Sequence, residues 1–103
     1  MKNYKPYINA LRQCAKEHEN DITPFAHIRV SDLCRDTANL LEELEQEPVL
    51  DKIRDQLKSN LRGVEITLEV LVENDPLRPK MEGAKCTLED CLELIDKAET
   101  EDT

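Results

Sequence analysis

LRGVEITLEVLVEND, residues Leu61 to Asp75, decides the fold, because two periodicities run through it. Val64, Ile66, Leu68 and Val70 alternate with Glu65, Thr67 and Glu69, the pattern of a half-buried strand. Leu61, Val64, Leu68, Leu71 and Val72 recur at helical spacing. The residues upstream break the tie. Leu50, Ile53 and Leu57 lead into Leu61, Val64, Leu68 and Leu71 in one unbroken helical register. A strand would also need a pairing partner, and no other segment alternates convincingly. The stretch therefore reads as the second half of a long helix, Pro48 to Asp75, despite its β-branched residues.

The losing pattern has a consequence for the surface. At about 100° per residue, Ile66 and Val70 point away from the face that carries Leu61, Val64 and Leu68. Ser59 and Gly63 extend this second stripe towards the N-terminus. Small residues four apart permit close backbone approach. Gly63 in a helix interior costs about 1 kcal/mol relative to Ala, so a packing reason is expected. A helix apolar on two sides is either central in a bundle or part of an oligomer contact.

Working outward, Tyr4, Tyr7, Ile8, Leu11, Cys14, Ala15 and His18 share one face of a first helix, with Pro6 early where a missing N–H costs nothing. Thr23 and Pro24 form a second start signal, so a short extra helix near residues 24–29, or a loop there, is expected. A main second helix follows from Asp32 to about Gln46, with Leu33, Cys34, Thr37, Leu40, Leu41 and Leu44 as its apolar stripe. Pro48 ends it and opens the long third helix. Asn74 to Lys85, with two prolines and a glycine, reads as a loop. Thr87 and Asp90 resemble a capping box for a last helix carrying Leu88, Cys91, Leu92, Ile95 and Ala98. Residues 100–103 read as a frayed acidic tail. The expected fold is all-α: a small four-helix bundle with a long third helix, one domain over residues 1–103.

Composition narrows the function classes. The chain has Phe25, Tyr4 and Tyr7 but no Trp, which argues against base-stacking platforms and aromatic cages. Two glycines in 103 residues leave no Gly-rich phosphate loop. The net charge is −9, so a nucleic-acid backbone or an anionic membrane would be repelled, and neither is an expected partner. No stretch approaches transmembrane length, and the N-terminus lacks the long apolar run of a signal peptide, so a cytoplasmic location is expected, with four free thiols.

The charge is uneven. Residues 31–47 hold six acidic side chains against Arg35 alone, and residues 87–103 hold seven against Lys97 alone. Glu42, Glu43, Glu45 and Glu47 crowd the end of the second helix, where the helix dipole disfavours them. Glu89, Glu93 and Asp96 align along the last helix. These seven residues are the candidate acidic patch for a basic protein surface, although a solvated face produces the same pattern. Their spacing does not place three carboxylates of the first group on one inward face, as a Mg²⁺-dependent all-α hydrolase requires. No nucleophile elbow is present, and no catalytic residue is assigned.

Cys14 and His18, spaced i, i+4, are weak candidates for metal ligands, with Cys34, Cys86, Cys91 and His27 available to complete a site. Cys14, Cys34 and Cys91 all fall on apolar stripes, where a thiol behaves as a small hydrophobe. The sequence thus supports a small acidic cytoplasmic helical protein, not an enzyme and without a cofactor, acting by protein–protein binding as an inhibitor, immunity protein or adaptor. It is expected to form a homodimer through Ser59, Gly63, Ile66 and Val70. The alternatives are a metal-binding helical protein, using the thiols or the carboxylates, and a structural subunit of a larger assembly.

Overall fold

The computed structural model describes residues 3–19 and 29–102, the last by its backbone. Four helices follow in order: α1 (Lys5–Glu17), α2 (Val30–Leu44), α3 (Glu47–Val70) and α4 (Arg78–Asp102). There is no strand among the described residues, so the helical periodicity of Leu61 to Val70 prevails over the alternating one. Substantial packing joins α1 to α2, α2 to α3, α3 to α4 and α4 to α1, a four-helix bundle in which α1 faces α3, and α2 faces α4, across the diagonal.

The core is built from the faces that the spacing predicts. Tyr7, Leu11 and Cys14 of α1, Cys34 and Leu41 of α2, and Leu50, Ile53, Leu57 and Val64 of α3 are buried. From α4, Met81, Leu88, Cys91 and Ile95 close the core. Leu61, Leu68 and Leu71 are only partly buried against it.

The partial burial of these three leucines follows from unequal helix lengths. The α1 and α2 helices have 13 and 15 residues, whereas α3 and α4 have 24 and 25. At a rise of about 1.5 Å per residue, α3 and α4 outreach the other pair by roughly 15 Å. Pro6 and Gln13 of α1 share a surface groove with Glu101 and Leu94 of α4, which sets an antiparallel register. The α1 helix therefore covers α4 only from about Asp90 onward. Arg54 lies 3.3 Å from Glu99, which sets the α3–α4 register. Among the described residues, the distal half of α3 and the first turns of α4 consequently project beyond α1 and α2 as a two-helix hairpin, and the molecule is 50 Å long but only 22 by 19 Å across.

Several boundaries differ from the sequence reading. Glu45 adopts the left-handed conformation (φ 47°) and ends α2, so the helix stops before Gln46. Glu47 is then in the first turn of α3, where the helix dipole favours its charge. The third helix stops at Val70, and Leu71 is extended. Arg78 explains the stop: its Nη1 donates to the carbonyls of Leu68 and Leu71 at 3.1 and 3.0 Å, satisfying groups that a helix end leaves open.

The largest correction concerns Asn74 to Lys85. The turn is confined to the residues before Arg78, closed by Asp75 Oδ1 accepting from the Leu77 N–H at 2.8 Å. Pro79 falls in the first turn of α4, where proline is tolerated. Burial of Met81, Ala84 and Leu88 on one face carries the helix through Gly83. Thr87 is no cap. It is buried in mid-helix, and its Oγ1 donates to the Gly83 carbonyl at 3.1 Å. The α4 helix runs on through Thr100 and Glu101 to Asp102. The extra turn expected at residues 24–29 lies outside the described residues except for Arg29, which is extended and precedes α2.

Candidate functional site

Two constellations stand out, one on the surface and one in the core. The surface one is the outer face of α3. Ile66 and Val70 expose 51% and 76% of their area, Ser59 is exposed and Gly63 half-exposed. A Cβ added to Gly63 would meet nothing within 4 Å, so the packing reason expected for this glycine does not lie within the described chain. Val72, in the turn that follows α3, is also exposed.

Beside this stripe runs a charged row. Lys58, Leu61, Arg62, Glu65, Ile66 and Glu69 line one shallow depression. Lys58, Arg62, Glu65 and Glu69 recur at i, i+4, i+7 and i+11, so the row is basic towards the helix N-terminus and acidic towards its C-terminus. The two halves are therefore opposite in sign across a midpoint at Gly63 and Val64.

The acidic candidates are distributed differently. Glu42, Glu43 and Glu45 are exposed at the end of α2, and Glu42 pairs with Arg12 of α1 at 3.0 Å. Glu47 is half-buried and accepts from the Tyr4 hydroxyl at 3.3 Å. Glu89, Glu93 and Asp96 are exposed on α4, diagonally across the bundle from α2. The packing order thus separates the two groups instead of joining neighbouring helices into one patch. Leu40 and Leu44, read as core, are in fact exposed on α2. Leu40 joins Leu33, Val49 and Ile53 along an open groove between α2 and α3.

In the core, the sulfurs of Cys14, Cys34 and Cys91 all lie within 4.8 Å of one another and bring together α1, α2 and α4. Cys14 and Cys91 form a disulfide with Cα atoms 5.5 Å apart, which corrects the expectation of four free thiols. Cys34 and Cys86 are free, the first buried and the second exposed. Cys34 Sγ is 3.8 Å from Cys14 Sγ. Burial pushes the Cys34 thiol up from 9.0 to about 12, so it is a neutral thiol at neutral pH and a poor nucleophile.

His18, one turn beyond Cys14, places Nε2 at 3.3 Å from Asp90 Oδ2, next to Cys91 in the chain. Ser31, one turn before Cys34, is 1% exposed, and its hydroxyl has no hydrogen-bond partner among the described residues. The sequence already placed all three cysteines on inward faces. Their convergence depended on the order in which the helices pack, which no spacing reveals. Of the remaining ligand candidates, Cys86 stands apart on the surface and His27 lies outside the described residues.

Among the described residues no helix is long and apolar enough to cross a membrane. Comparison of the chain with known protein families, with characterised proteins and with solved structures finds no match.

Proposed function

We propose that the protein is a binding module that works by docking to other protein surfaces, and that it pairs with a second copy of itself through α3. The observation that carries this reading is the exposure of Ile66 and Val70 on the outer face of the projecting hairpin. An apolar stripe rimmed by charge is the anatomy of an interface rather than of a solvated helix face.

The charged row favours a second copy as the occupant. Two α3 helices laid antiparallel about a two-fold axis between Gly63 and Val64 set Lys58 opposite Glu69 and Arg62 opposite Glu65. The same axis brings each Ile66 level with the gap between Ser59 and Gly63 of the other copy. A large side chain then meets two small ones, and the open space above Gly63 has a use. The carboxylates of α2 and α4 remain outside this contact. They suit the module to a partner with a basic surface, as in inhibitors and adaptors that recognise charge.

Sedimentation or light scattering of the purified chain tests the reading. Wild-type protein should behave as a dimer at micromolar concentration, and Ile66→Asp as a folded monomer. A wild-type chain that stays monomeric to about 100 μM, a weak-association limit of roughly 5.5 kcal/mol, would refute self-pairing.

A further inference from the structure

We infer that the reduced protein holds one thiophilic divalent cation of the zinc class, bound by the sulfurs of Cys14, Cys34 and Cys91. The inference is independent of the pairing proposed for α3, because this cluster lies in the core and contributes nothing to that surface.

Ligand spacing is the first argument. A tetrahedral ion with metal–sulfur bonds of about 2.3 Å holds its sulfurs about 3.8 Å apart. Cys34 Sγ and Cys14 Sγ are 3.8 Å apart with no ion between them. Cys91 Sγ belongs to the same cluster, within 4.8 Å of both. Opening the Cys14–Cys91 bond lets that pair relax to the same separation without moving a helix, since their Cα atoms are already 5.5 Å apart.

Chemistry is the second. Three thiols from three different helices, each no more than 1% exposed, make a soft, closed donor set. The Ser31 hydroxyl, buried on the face of α2 that carries Cys34, can donate to a thiolate sulfur.

The balance of the step is simple. A dithiol reductant transfers two electrons and two protons to the Cys14–Cys91 disulfide and is itself oxidised to a disulfide. The cation then displaces one proton from each of the three thiols. The disulfide and the metal site are therefore alternative states of one cluster. The disulfide ties α1 to α4, and the metal site would tie α2 to both as well; a site this enclosed is structural rather than catalytic.

Titration of the full chain with Co²⁺, after reduction with a phosphine and desalting without oxygen, tests the assignment. Saturation is expected at one ion per chain, with thiolate-to-cobalt charge-transfer absorption and tetrahedral ligand-field bands that Zn²⁺ abolishes. Cys34→Ser should weaken binding at least about 100-fold, whereas Cys86→Ser should leave it unchanged. Wild-type protein gives a readout that does not depend on variants folding: Zn²⁺ should protect three thiols from alkylation and leave Cys86 reactive. Absence of saturable binding, wild-type affinity in Cys34→Ser, or equal alkylation of all four thiols with and without Zn²⁺ would overturn the site.

Discussion

Arg54 of α3 and Glu99 of α4 lie 3.3 Å apart, with the guanidinium largely buried and the carboxylate largely in solvent. The same guanidinium sits 5.7 Å from the centre of the Tyr7 ring on α1. One side chain thus ties the diagonal helices α1 and α3 together as well as fixing the α3–α4 register. Arg54→Ala should cost about 1–3 kcal/mol, because it strips packing from Tyr7 as well as a charge from Glu99. Glu99→Ala should cost less than about 1 kcal/mol, as expected for an exposed partner. Urea unfolding of both variants checks the asymmetry; equal losses would place the energy in the ion pair alone.

Burial along α3 predicts a gradient of core sensitivity. Leu57 is fully buried in the middle of α3, and Leu57→Ala should destabilise by about 2–5 kcal/mol. Leu68 is only partly buried on the projecting hairpin, and Leu68→Ala should cost about 1–2 kcal/mol. Denaturation midpoints that show Leu68→Ala as the costlier change would contradict the overhang.

Gly63 has opposite predictions for fold and assembly. Nothing lies within 4 Å of the Cβ that alanine would add, so Gly63→Ala should stabilise the folded chain by about 0.5–1 kcal/mol through helix propensity. The same methyl occupies the space into which Ile66 of a second copy would fit, so dimer affinity should fall. A variant both more stable and more tightly dimeric would count against the antiparallel pairing.

The Cys14–Cys91 disulfide closes a separation of 77 residues. Metal-free reduction should lower stability by about 2–4 kcal/mol, the usual range for a bridge across a loop. Zinc added to the reduced chain should restore part of that loss, by an amount that grows with its free concentration. Thermal melts of oxidised, reduced and zinc-loaded protein give the three values side by side.

Alkaline pH should weaken the fold through Cys34. Its thiol is raised from 9.0 to about 12, so the folded chain keeps a proton that the unfolded chain has already released. That stabilisation is complete below pH 9.0 and is lost progressively as pH rises from there towards about 12. The slope should reach about 1.4 kcal/mol per pH unit from this residue. Cys34→Ala removes this part of the slope, so the two proteins should diverge when unfolded at about pH 9 and pH 10.5. Parallel curves would mean that the thiol titrates normally.

Helix type was legible in the sequence wherever an apolar face ran long enough to be counted. Leu50, Ile53, Leu57 and Val64 keep one register through a stretch that also alternates, and period is a property of the chain itself. That Ile66 and Val70 oppose the core face was legible for the same reason, because about 100° per residue fixes which positions lie opposite, but whether that second face is buried or exposed was left to the packing. Boundaries were less so. The start of α4 hides behind two prolines and a glycine, and it is helical only because Met81 and Ala84 gain burial against the rest of the bundle.

What only tertiary structure decided is which faces meet. Leu40 and Leu44 lie on a stripe that reads as core, yet they are exposed. Cys14, Cys34 and Cys91 are three separate apolar positions in the sequence and one cluster in the fold. Periodicity assigns a side chain to a face of its own helix, but the order, register and relative length of four helices determine what that face touches. Those follow from the total area that packing can bury, a quantity shared by the whole chain and held by no single segment of it.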